Sequence, residues 1–432
     1  MENKLPKNWV ETELGNYVYL KNGYAFKSSD FCNIGIPVVK ISNIIDGKID
    51  INDSKCIDQS IAKTEFRVNK GDILIAMSGA TTGKFGIYEL DDVVMQNQRV
   101  GNIKPLIDKL SHKKFIYYLL FDLKQDIETM AYGGAQPNIS PQLISSLQIP
   151  LPPLAEQKRI ADKLDILFGQ LETIRKATDR IPELIKNFRQ QILTYAITGR
   201  LTAHKGNVHI LADHLQSIKY GTSKKSDYNI VDGIPVLRIP NIKDGEVDLT
   251  DLKYSLFDNK EYQQLRLNKG DILVIRSNGS ISLVGQSAIV DMNCDGFCYA
   301  GYLIRLRFNN DILPDFINYS FRSEFVRKQI IDLAHSTSGV NNINAQQIQN
   351  LSFVYFEKSE QKEIVSSVQS LFEKLETIER RYQTLKIKLE DLPQALLHKA
   401  FKGELVEQLP TDGNAADLLR EIEQLKKFLK NK

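Results

Sequence analysis

The sequence predicts an α+β fold in which two similar mixed α/β globular domains are separated by two long helices packed as an antiparallel coiled coil, a pseudo-two-fold internal repeat. Two observations lead to this prediction. The first is an apolar seam with heptad spacing between residues 151 and 201. The second is that the seam recurs at a constant offset of 204 residues. A long helix with one apolar stripe needs a partner, and the second copy supplies it.

The first seam alternates spacings of four and three residues without a slip. At about 1.5 Å per residue, roughly 45 helical residues make a rod of about 65 Å. Pro152 and Pro153 precede the first turn, Glu156 places negative charge where the helix dipole favours it, and Gly199 is the expected C′ residue. The seam positions are Ile160, Leu164, Leu167, Leu171, Ile174, Thr178, Ile181, Ile185, Phe188 and Ile192.

Adding 204 to each position gives a second seam, made only of apolar or aromatic residues. The match includes both helix ends, because Glu156-Gln157 becomes Glu360-Gln361 and Gly199 becomes Gly403. The alternative of two unrelated amphipathic helices is disfavoured by one offset that fits both the caps and the seam. The second seam consists of Ile364, Val368, Leu371, Leu375, Ile378, Tyr382, Leu385, Leu389, Leu392 and Leu396.

Pro182 lies inside the first predicted helix, where a proline costs about 3 kcal/mol and kinks the helix. The heptad phase runs through it unbroken. The second copy has Lys386 at that position and carries its own proline at Pro393. A kinked continuous helix is therefore favoured over a helical hairpin that turns at 179–182.

The two globular domains also repeat, at offsets that drift because their loops differ in length. Gly35–Asn43 matches Gly233–Asn241, and Asn69–Leu74 matches Asn268–Leu273. These segments join turn signals to short apolar strands, and a helix is expected over 111–126. The predicted divisions are a first domain at 1–150, a long helix at 151–203, a second domain at 204–356, a long helix at 357–409 and a final amphipathic helix at 410–432.

Composition is that of an ordinary soluble globular protein, with 42% hydrophobic and 25% charged residues among 432. No apolar stretch is long enough to span a membrane, and the N-terminus lacks a signal peptide core, so a cytoplasmic protein is expected. The net charge of +3 means that any basic surface must be local. The cysteines lack metal-ligand spacing and are expected to be buried free thiols: Cys32, Cys56, Cys294 and Cys298.

No catalytic motif survives inspection, so no catalytic residue and no metal site are predicted. The stretch Gly79–Phe85 is one residue short of a phosphate loop and has Phe85 where the magnesium-binding Ser or Thr belongs. The sequence has no H-E-x-x-H and no G-x-S-x-G. It also lacks the Asn/Asp-Pro-Pro-Tyr/Phe tetrapeptide of amino-methylating DNA methyltransferases. We therefore expect a protein that recognises a binding partner and does not itself catalyse a reaction.

Two similar modules held apart by a rigid spacer suit duplex DNA, where half-sites one turn apart are roughly 34 Å apart. The loops after the duplicated strands carry side chains that read bases or bind phosphates. Any one of them taken alone could be an ordinary solvated loop residue. Because the matched loops Ser78–Lys84 and Arg276–Ser282 differ, the two domains are expected to read different half-sites. The DNA-binding candidates are Lys40, Ser42, Asn43, Ser78, Thr81, Thr82, Lys84, Gln96, Asn97, Gln98, Arg99, Gln136, Asn138, Arg238, Asn241, Arg276, Ser277, Asn278, Ser280, Ser282, Tyr299, Ser336, Ser338, Asn341 and Asn342.

Five segments carry a family resemblance: Ile149–Ile160, Arg180–Ile185, Phe188–Leu201, Glu360-Gln361 and Ala400–Leu405. With the duplicated plan, they make the chain resemble the specificity subunit of type I restriction-modification systems over essentially its whole length. In the second copy, Tyr355–Glu357 stands where the family usually has Leu-Pro-Pro, so the resemblance does not specify how the second helix is entered.

The resemblance implies that each domain is a target recognition domain for one half of a split DNA sequence. It implies that the helices set the spacing and dock two methyltransferase subunits, which restriction and translocase subunits can join. S-adenosylmethionine, ATP and Mg²⁺ would bind those partners and not this chain. Apolar residues off the seam fit either another helical partner or packing at the flank of the coiled coil: Ile166, Phe168, Leu193 and Tyr195.

Two functions from other classes remain as alternatives at this point. One is a stand-alone DNA endonuclease or methyltransferase with an unrecognised site. The other is a scaffold that uses the coiled coil only for protein assembly. Binding to duplex DNA separates the scaffold from a reader, and chemistry by the isolated chain separates the enzyme from both.

Overall fold

A computed structural model of the protein describes residues 5–132, 137–334 and 339–430. The chain divides into two compact units, one formed by Met1–Ala177 with Leu385–Lys432 and the other by Thr178–Thr384. Each unit contains one globular block together with helical segments from both of the predicted long helices. The second long helix is therefore shared, with its C-terminal part in the first unit.

The first globular block consists of short strands followed by short helices. The strands are β1 (Val10–Glu13), β2 (Val18–Asn22), β3 (Phe31–Cys32), β4 (Ile36–Val39), β5 (Ile44–Ile45), β6 (Gly47–Ile49), β7 (Cys56–Ile57), β8 (Arg67–Val68), β9 (Ile73–Ala76), β10 (Phe85–Ile87), β11 (Val94–Gln96), β12 (Val100–Pro105) and β13 (Gln148–Leu151). The helices are α1 (Lys113–Asp122), α2 (Lys124–Ala131) and α3 (Pro141–Ser145). One sheet has the order β2-β12-β9-β10-β6-β5, and another has the order β3-β7-β4-β11-β8.

The single helix expected over 111–126 is two helices, α1 and α2, separated at Leu123, whose backbone lies at φ −81°, ψ 0°. On α1, Phe115 and Leu119 are fully buried. Asp46 and Gly47 form a tight turn, with φ of 46° and 80°. Its repeat, Asp244-Gly245, has φ of 49° and 91°.

The first long helix is interrupted. It comprises α4 (Leu154–Thr178) and α5 (Ile181–Ile197), so the expectation of one continuous helix is corrected by a two-residue break just before Pro182. Proline has no N–H to donate to the carbonyl four residues earlier, and it occupies one of the first positions of α5, where that loss is tolerated. Arg180 keeps right-handed helical angles, and its carbonyl accepts from the Leu184 N–H.

The second globular block repeats the plan of the first. Its strands are β14 (Asn207–Ile210), β15 (Leu215–Tyr220), β16 (Ile234–Leu237), β17 (Ile242–Lys243), β18 (Glu246–Val247), β19 (Lys253–Ser255), β20 (Ile272–Ile275), β21 (Ser277–Asn278), β22 (Ser287–Ile289), β23 (Cys298–Tyr299), β24 (Leu303–Phe308), β25 (Asn341–Asn342) and β26 (Ser352–Tyr355). Its helices are α6 (Asn259–Leu265), α7 (Pro314–Arg322), α8 (Glu324–Leu333) and α9 (Ala345–Gln349). The order β15-β24-β20-β22 matches β2-β12-β9-β10 of the first block.

Each block begins and ends on a pair of antiparallel strands. In the first block β1 pairs with β13, so that Val10 lies opposite Leu151. In the second block β14 pairs with β26, and Asn207 lies opposite Tyr355. The chain therefore enters and leaves each block at one place, next to the start of a long helix.

The chain ends with α10 (Lys358–Phe401) and α11 (Ala415–Lys430). Pro393 lies inside α10 and cannot donate to the carbonyl of Leu389. Arg175 of α4 supplies the missing donor, because its Nη2 lies 2.7 Å from that carbonyl oxygen. In α11, the buried Leu418 and Ile422 join the core of the first unit.

The helices pack antiparallel within each unit. In the first unit Arg159 bonds to Asp412 beyond the end of α10, whereas Arg175, farther along α4, reaches Leu389. In the second unit Arg189 pairs with Glu379 at 3.5 Å, and His204, beyond α5, reaches back to Glu363. In both units the residue numbers of successive contacts rise along one helix and fall along the other, so the helices run antiparallel.

Both helix ends repeat at the predicted offset. Gln157 and Gln361 are fully buried, and the Nε2 of each donates to the carbonyl five residues earlier, at 3.0 and 2.8 Å. Gly199 and Gly403 have φ of 71° and 75°, so the predicted C′ glycines are confirmed. In both copies the N–H of the following residue donates to a carbonyl of the last helical turn at 2.9 Å.

At four matched positions of the two seams both side chains are buried: Ile160/Ile364, Leu164/Val368, Leu171/Leu375 and Ile185/Leu389. Leu167, Ile181 and Leu371 are partly buried. A straight α-helix drifts about 20° per heptad from a 3.5-residue repeat, so a long seam leaves the buried face. The predicted seam positions that are instead exposed are Ile174 (43%), Phe188 (58%), Ile378 (49%), Leu385 (38%) and Leu392 (40%).

Candidate DNA interface

Two predicted reading loops of the first block lie side by side. Ser78, at the start of the loop after β9, forms an isolated antiparallel bridge with Asn138. Lys84, at the far end of the same loop, is exposed, as is Asn138. The loop is held in shape by Thr82, whose Oγ1 donates to the carbonyl of Gly79 at 2.6 Å. The bridge therefore brings a hydroxyl and an amide from two distant segments together, beside a loop that ends in an exposed lysine.

The second block brings the matched segments together in the same way. Strand β21 pairs with β25, so that Ser277 lies opposite Asn342 and Asn278 opposite Asn341. The loop that follows is tied internally, because Ser280 Oγ and Ser282 Oγ lie 2.8 Å apart. This arrangement matches the Ser78–Asn138 bridge, since both join a serine to an asparagine, but the loop residues that follow the serine differ between the blocks.

Arg276 stands beside this strand pair. Its guanidinium lies 4.7 Å from the centre of the Tyr220 ring, and its Nε lies 3.4 Å from Asn342 Oδ1. Both contacts orient the planar guanidinium without neutralising its charge. An arginine held in this way suits bidentate hydrogen bonding to a guanine edge.

Five of the DNA-binding candidates are buried and serve the protein itself. Asn43 and Asn241 accept from the backbone N–H of Lys40 and Arg238, each at 2.8 Å. Gln96 donates to two backbone carbonyls, and Tyr299 donates to a third. Thr82 is 3% exposed. Because their polar atoms are already satisfied away from solvent, we leave these five residues out of the interface.

The other candidates divide by accessibility. Ser42, Gln98 and Arg99 are exposed, whereas Asn97 and Thr81 are partly buried. Arg238 is held in an ion pair, with its Nη2 2.9 Å from Asp251 Oδ2. Three candidates lie outside the described residues: Gln136, Ser336 and Ser338.

Lysines stacked on aromatic rings form a feature of the first block that the sequence analysis missed. Lys40 Nζ and Lys63 Nζ each lie 3.9 Å from a ring centre, over Phe31 and Tyr24 respectively. Burial and the nearby charge of Lys55 lower the pKa of Lys40. The signal in the sequence is a set of lysines interleaved with aromatic residues. Such a surface can bind phosphate while the rings contact sugar or base.

The long helices carry a second exposed surface in the second unit. Leu184, Phe188 and Tyr195 are 53%, 58% and 44% exposed and share one face of α5. Of the off-seam residues that fit either another helical partner or packing at the flank of the coiled coil, Ile166 is exposed, like Tyr195. Leu193 is buried in the core of the second unit, and Phe168 stacks on Tyr118 at 5.5 Å. These last two therefore pack within their own unit.

The chemistry available to the chain is limited among the residues that the structure describes. No group of three or more His, Cys, Asp or Glu side chains is placed to hold a metal ion there. All four cysteines are free, but only Cys294 and Cys298 are buried, while Cys32 is exposed. Burial raises the pKa of Cys294 and Cys298 to about 12, which keeps them protonated. No described helix is long and apolar enough to cross a membrane.

Comparison with known proteins agrees with the duplicated plan. The chain is 30% identical over 446 residues to the EcoKI specificity subunit of Escherichia coli strain K12, a match that covers 97% of this chain and 96% of that protein. It is 31% identical over 425 residues to the StySPI specificity subunit of Salmonella potsdam, covering 94% and 91% of the two chains. Both relatives are named as type I restriction enzyme subunits.

Solved structures show the same fold. The HsdS subunit from Thermoanaerobacter tengcongensis aligns with a TM-score of 0.65 at 19% identity, over 93% of this chain and 98% of that one. A chain from a study of assembly and conformational transition of the type I R-M system aligns with a TM-score of 0.67 at 19% identity, over 93% and 99%.

The family model for the type I restriction modification DNA specificity domain matches twice, at residues 6–183 and 210–387. The two matches begin 204 residues apart and end 204 residues apart, which is the offset of the helical seams. The chain therefore belongs to the type I restriction-modification DNA specificity family, as a specificity subunit with two DNA recognition domains.

Proposed function

We propose that each globular block reads one half of a bipartite DNA target and that the long helices set the distance between the halves. One observation supports this most directly. A duplicated scaffold brings the same two segments together in each block, Ser78 with Asn138 and Ser277 with Asn342, whereas the loop residues that follow each serine differ. The same framework with different contact residues is what two readers of different half-sites require.

We further propose that the exposed apolar face of α5 docks a methyltransferase subunit. Phe188 and Tyr195 are large, apolar and accessible, as anchors of a helix-in-groove contact are. S-adenosylmethionine, ATP and Mg²⁺ would then bind the partner subunits, and this chain would contribute specificity and no catalysis. A subunit that reads genomic DNA together with these partners would work in the cytoplasm.

The decisive experiment identifies the target and measures binding to it. Methylated adenines are mapped in the source genome, and a duplex carrying the bipartite motif is titrated with the chain together with methyltransferase subunits. We expect binding to this duplex to be at least 10³-fold tighter than to a scrambled one, and both affinities to fall with salt. Cleavage or methylation by the isolated chain would favour an enzyme, and no salt-dependent binding to any duplex would favour a scaffold.

Arg276→Ala should relax specificity at one base pair of the second half-site, at a cost of about 1–3 kcal/mol there. The reason is the loss of a guanidinium that Tyr220 and Asn342 hold in place. Binding to duplexes with single substitutions through both half-sites measures the effect. The matched variant Lys84→Ala, in the corresponding loop of the first block, should leave the second half-site unchanged. An equal loss on every duplex would mark Arg276 as a phosphate contact.

A further inference from the structure

A cleft of about 400 Å³ lies in the second unit between α5, the turn at Asp244-Gly245 and the ends of α7 and α8. We call it the basic cleft. Its charged lining residues are mostly cationic, and an excess of cations in one concave site favours an anionic ligand. The charged side chains that line it are Lys186, Arg189, Arg322, Arg327 and Asp244.

The corresponding place in the first unit is aromatic. Tyr117 OH donates to the carbonyl of Gly47 at 2.9 Å, and the Phe121 ring covers the α-carbon of that glycine. A Cβ on Gly47 would lie only 2.9 Å from Phe121 Cζ. Phe121 also packs against Phe85, with ring centres 4.7 Å apart. These rings meet edge to face on one side of a pocket of about 1030 Å³, whose charged lining consists of five carboxylates and three cations.

The second unit keeps this scaffold and changes its chemistry. Asn318 Nδ2 donates to the carbonyl of Gly245 at 2.8 Å, as Tyr117 does to Gly47. A Cβ on Gly245 would lie 2.6 Å from Arg322 Nη1, so Arg322 takes the place of the aromatic ring. Because the Phe121 ring covers the matched glycine in the first unit, the fold does not require a charge at that position.

The charge of Arg322 is poorly compensated. Its side chain is half-buried, and within the described residues its guanidinium makes no hydrogen bond or ion pair. Burial lowers the pKa of Arg322 and the like charge of Arg189 adds to this, whereas Asp244 and Glu246 partly oppose it. The two guanidinium carbons lie 5.8 and 5.6 Å from the centre of the same Phe372 ring. Arg189 already pairs with Glu379 at 3.5 Å, so an anion in the cleft would chiefly compensate the charge of Arg322.

The basic cleft adjoins the reading loop that follows β21. Two of its lining residues hold that loop by its backbone, because Gln286 Nε2 and Arg327 Nη2 both donate to the carbonyl of Ser282, at 3.2 and 3.1 Å. Arg327 Nη1 also donates to the carbonyl of Val284 at 2.6 Å. A duplex read by this loop therefore passes close to the cleft, and its nearest anions are backbone phosphates.

We propose that the basic cleft binds a phosphate of the DNA backbone and so anchors the second block on its half-target. The inference rests on the proposed function, because it requires that the loop reads DNA. It goes further by assigning to Arg322 and Arg189 a contact that positions the domain without reading sequence. The matched pocket of the first unit has Phe121 in place of Arg322 and more carboxylates than cations, so it does not favour a phosphate, and the two halves of the target would be held by different contacts.

Arg322→Gln tests the proposal in the complex with methyltransferase subunits, by titration of target and scrambled duplexes at several salt concentrations. One phosphate contact contributes a slope of about 0.9 in log K against log salt. We expect the slope to fall by about 1 and affinity at 0.1 M salt to fall roughly tenfold, equally on both duplexes. Arg322→Lys should restore most of the slope, and Lys328→Gln, an exposed charge outside the cleft, should change neither value.

The outcomes separate this proposal from the function on which it rests. If the wild-type complex binds no duplex, the proposed function fails. If it binds its target and Arg322→Gln keeps the full slope, the cleft does not hold a phosphate. Loss at a single base pair, or loss of methyltransferase association with DNA binding retained, would also overturn the proposal. Arg189→Gln provides a second variant should Arg322→Gln unfold, and circular dichroism verifies folding of each.

Discussion

A chain in which residues 10–151 replace residues 207–355 should recognise a target built from two inverted copies of the first half-site. Each block enters and leaves through one pair of antiparallel strands, β1 with β13 and β14 with β26. A graft at these strands leaves both long helices intact. The target should be inverted because duplicated halves of a chain are expected to relate by a pseudo-two-fold axis.

The helices offer both blocks equivalent packing surfaces. The core of the first unit includes Leu164 and Leu397, and the core of the second includes the matched residues Val368 and Leu193. These four side chains are all at most 3% exposed. The transplanted block should therefore find apolar partners of similar size, and volume-conserving exchange of buried apolar residues is tolerated best. It would lack the cover of α11, which only the first unit has.

The measurement is selection from a random duplex library followed by titration of the selected sequence. The expected winner contains the first half-site twice, in opposite orientations and at the native spacing. The reciprocal chain, with residues 207–355 in place of 10–151, is the matched control and should select the second half-site twice. Selection of a direct repeat would contradict the two-fold relation, and retention of the native target would contradict the assignment of one half-site to each block.

Periodicity and repetition predicted the two long helices and the two repeated blocks, because the same spacing and the same offset of residues are present in the folded structure. The offset that relates Gln157 to Gln361 and Gly199 to Gly403 reappears as identical cap geometry, since a helix end must satisfy the same backbone groups in both copies. The exposure of Phe188 was not predictable in this way. A heptad pattern does not state how far the buried face turns where a globular block packs against the helix.

The candidate interface was less predictable because residue type does not reveal where a polar side chain finds its partners. Gln96 and Tyr299 have the chemistry of DNA contacts, yet their hydrogen bonds go to backbone carbonyls inside the protein. Arg322 shows the converse. Its sequence position gave no reason to select it. Phe121 covers Gly47 in the first unit and Arg322 covers the matched Gly245 in the second, and this comparison shows that the fold does not require a charge there.

Duplicating one heptad in each long helix should lengthen the preferred spacing between the half-sites by about three base pairs. The segments to duplicate are 171–177 and 375–381, which begin with the same residues, Leu-Glu-Thr-Ile, at the repeat offset. Seven helical residues add about 10.5 Å, whereas one base pair spans about 3.4 Å. On the native target, only one half-site can then be engaged in register. Binding there should fall at least 10³-fold, towards the non-specific level.

The rotation that accompanies the insertion makes the test sharper. A heptad turns a straight helix by only about 20°, whereas three base pairs turn the duplex by about 100°, since one DNA turn holds about 10 base pairs. The lengthened chain should therefore prefer the longer spacing but bind it more weakly than the wild type binds its own target. Titration against duplexes with spacers from two base pairs shorter to six base pairs longer than the native one measures both the preferred spacing and the loss of affinity.

A control variant in which 171–177 and 375–381 exchange sequences keeps the helix length and should keep the native spacing. If the lengthened chain still prefers the native spacing, the helices do not set the distance between the two readers.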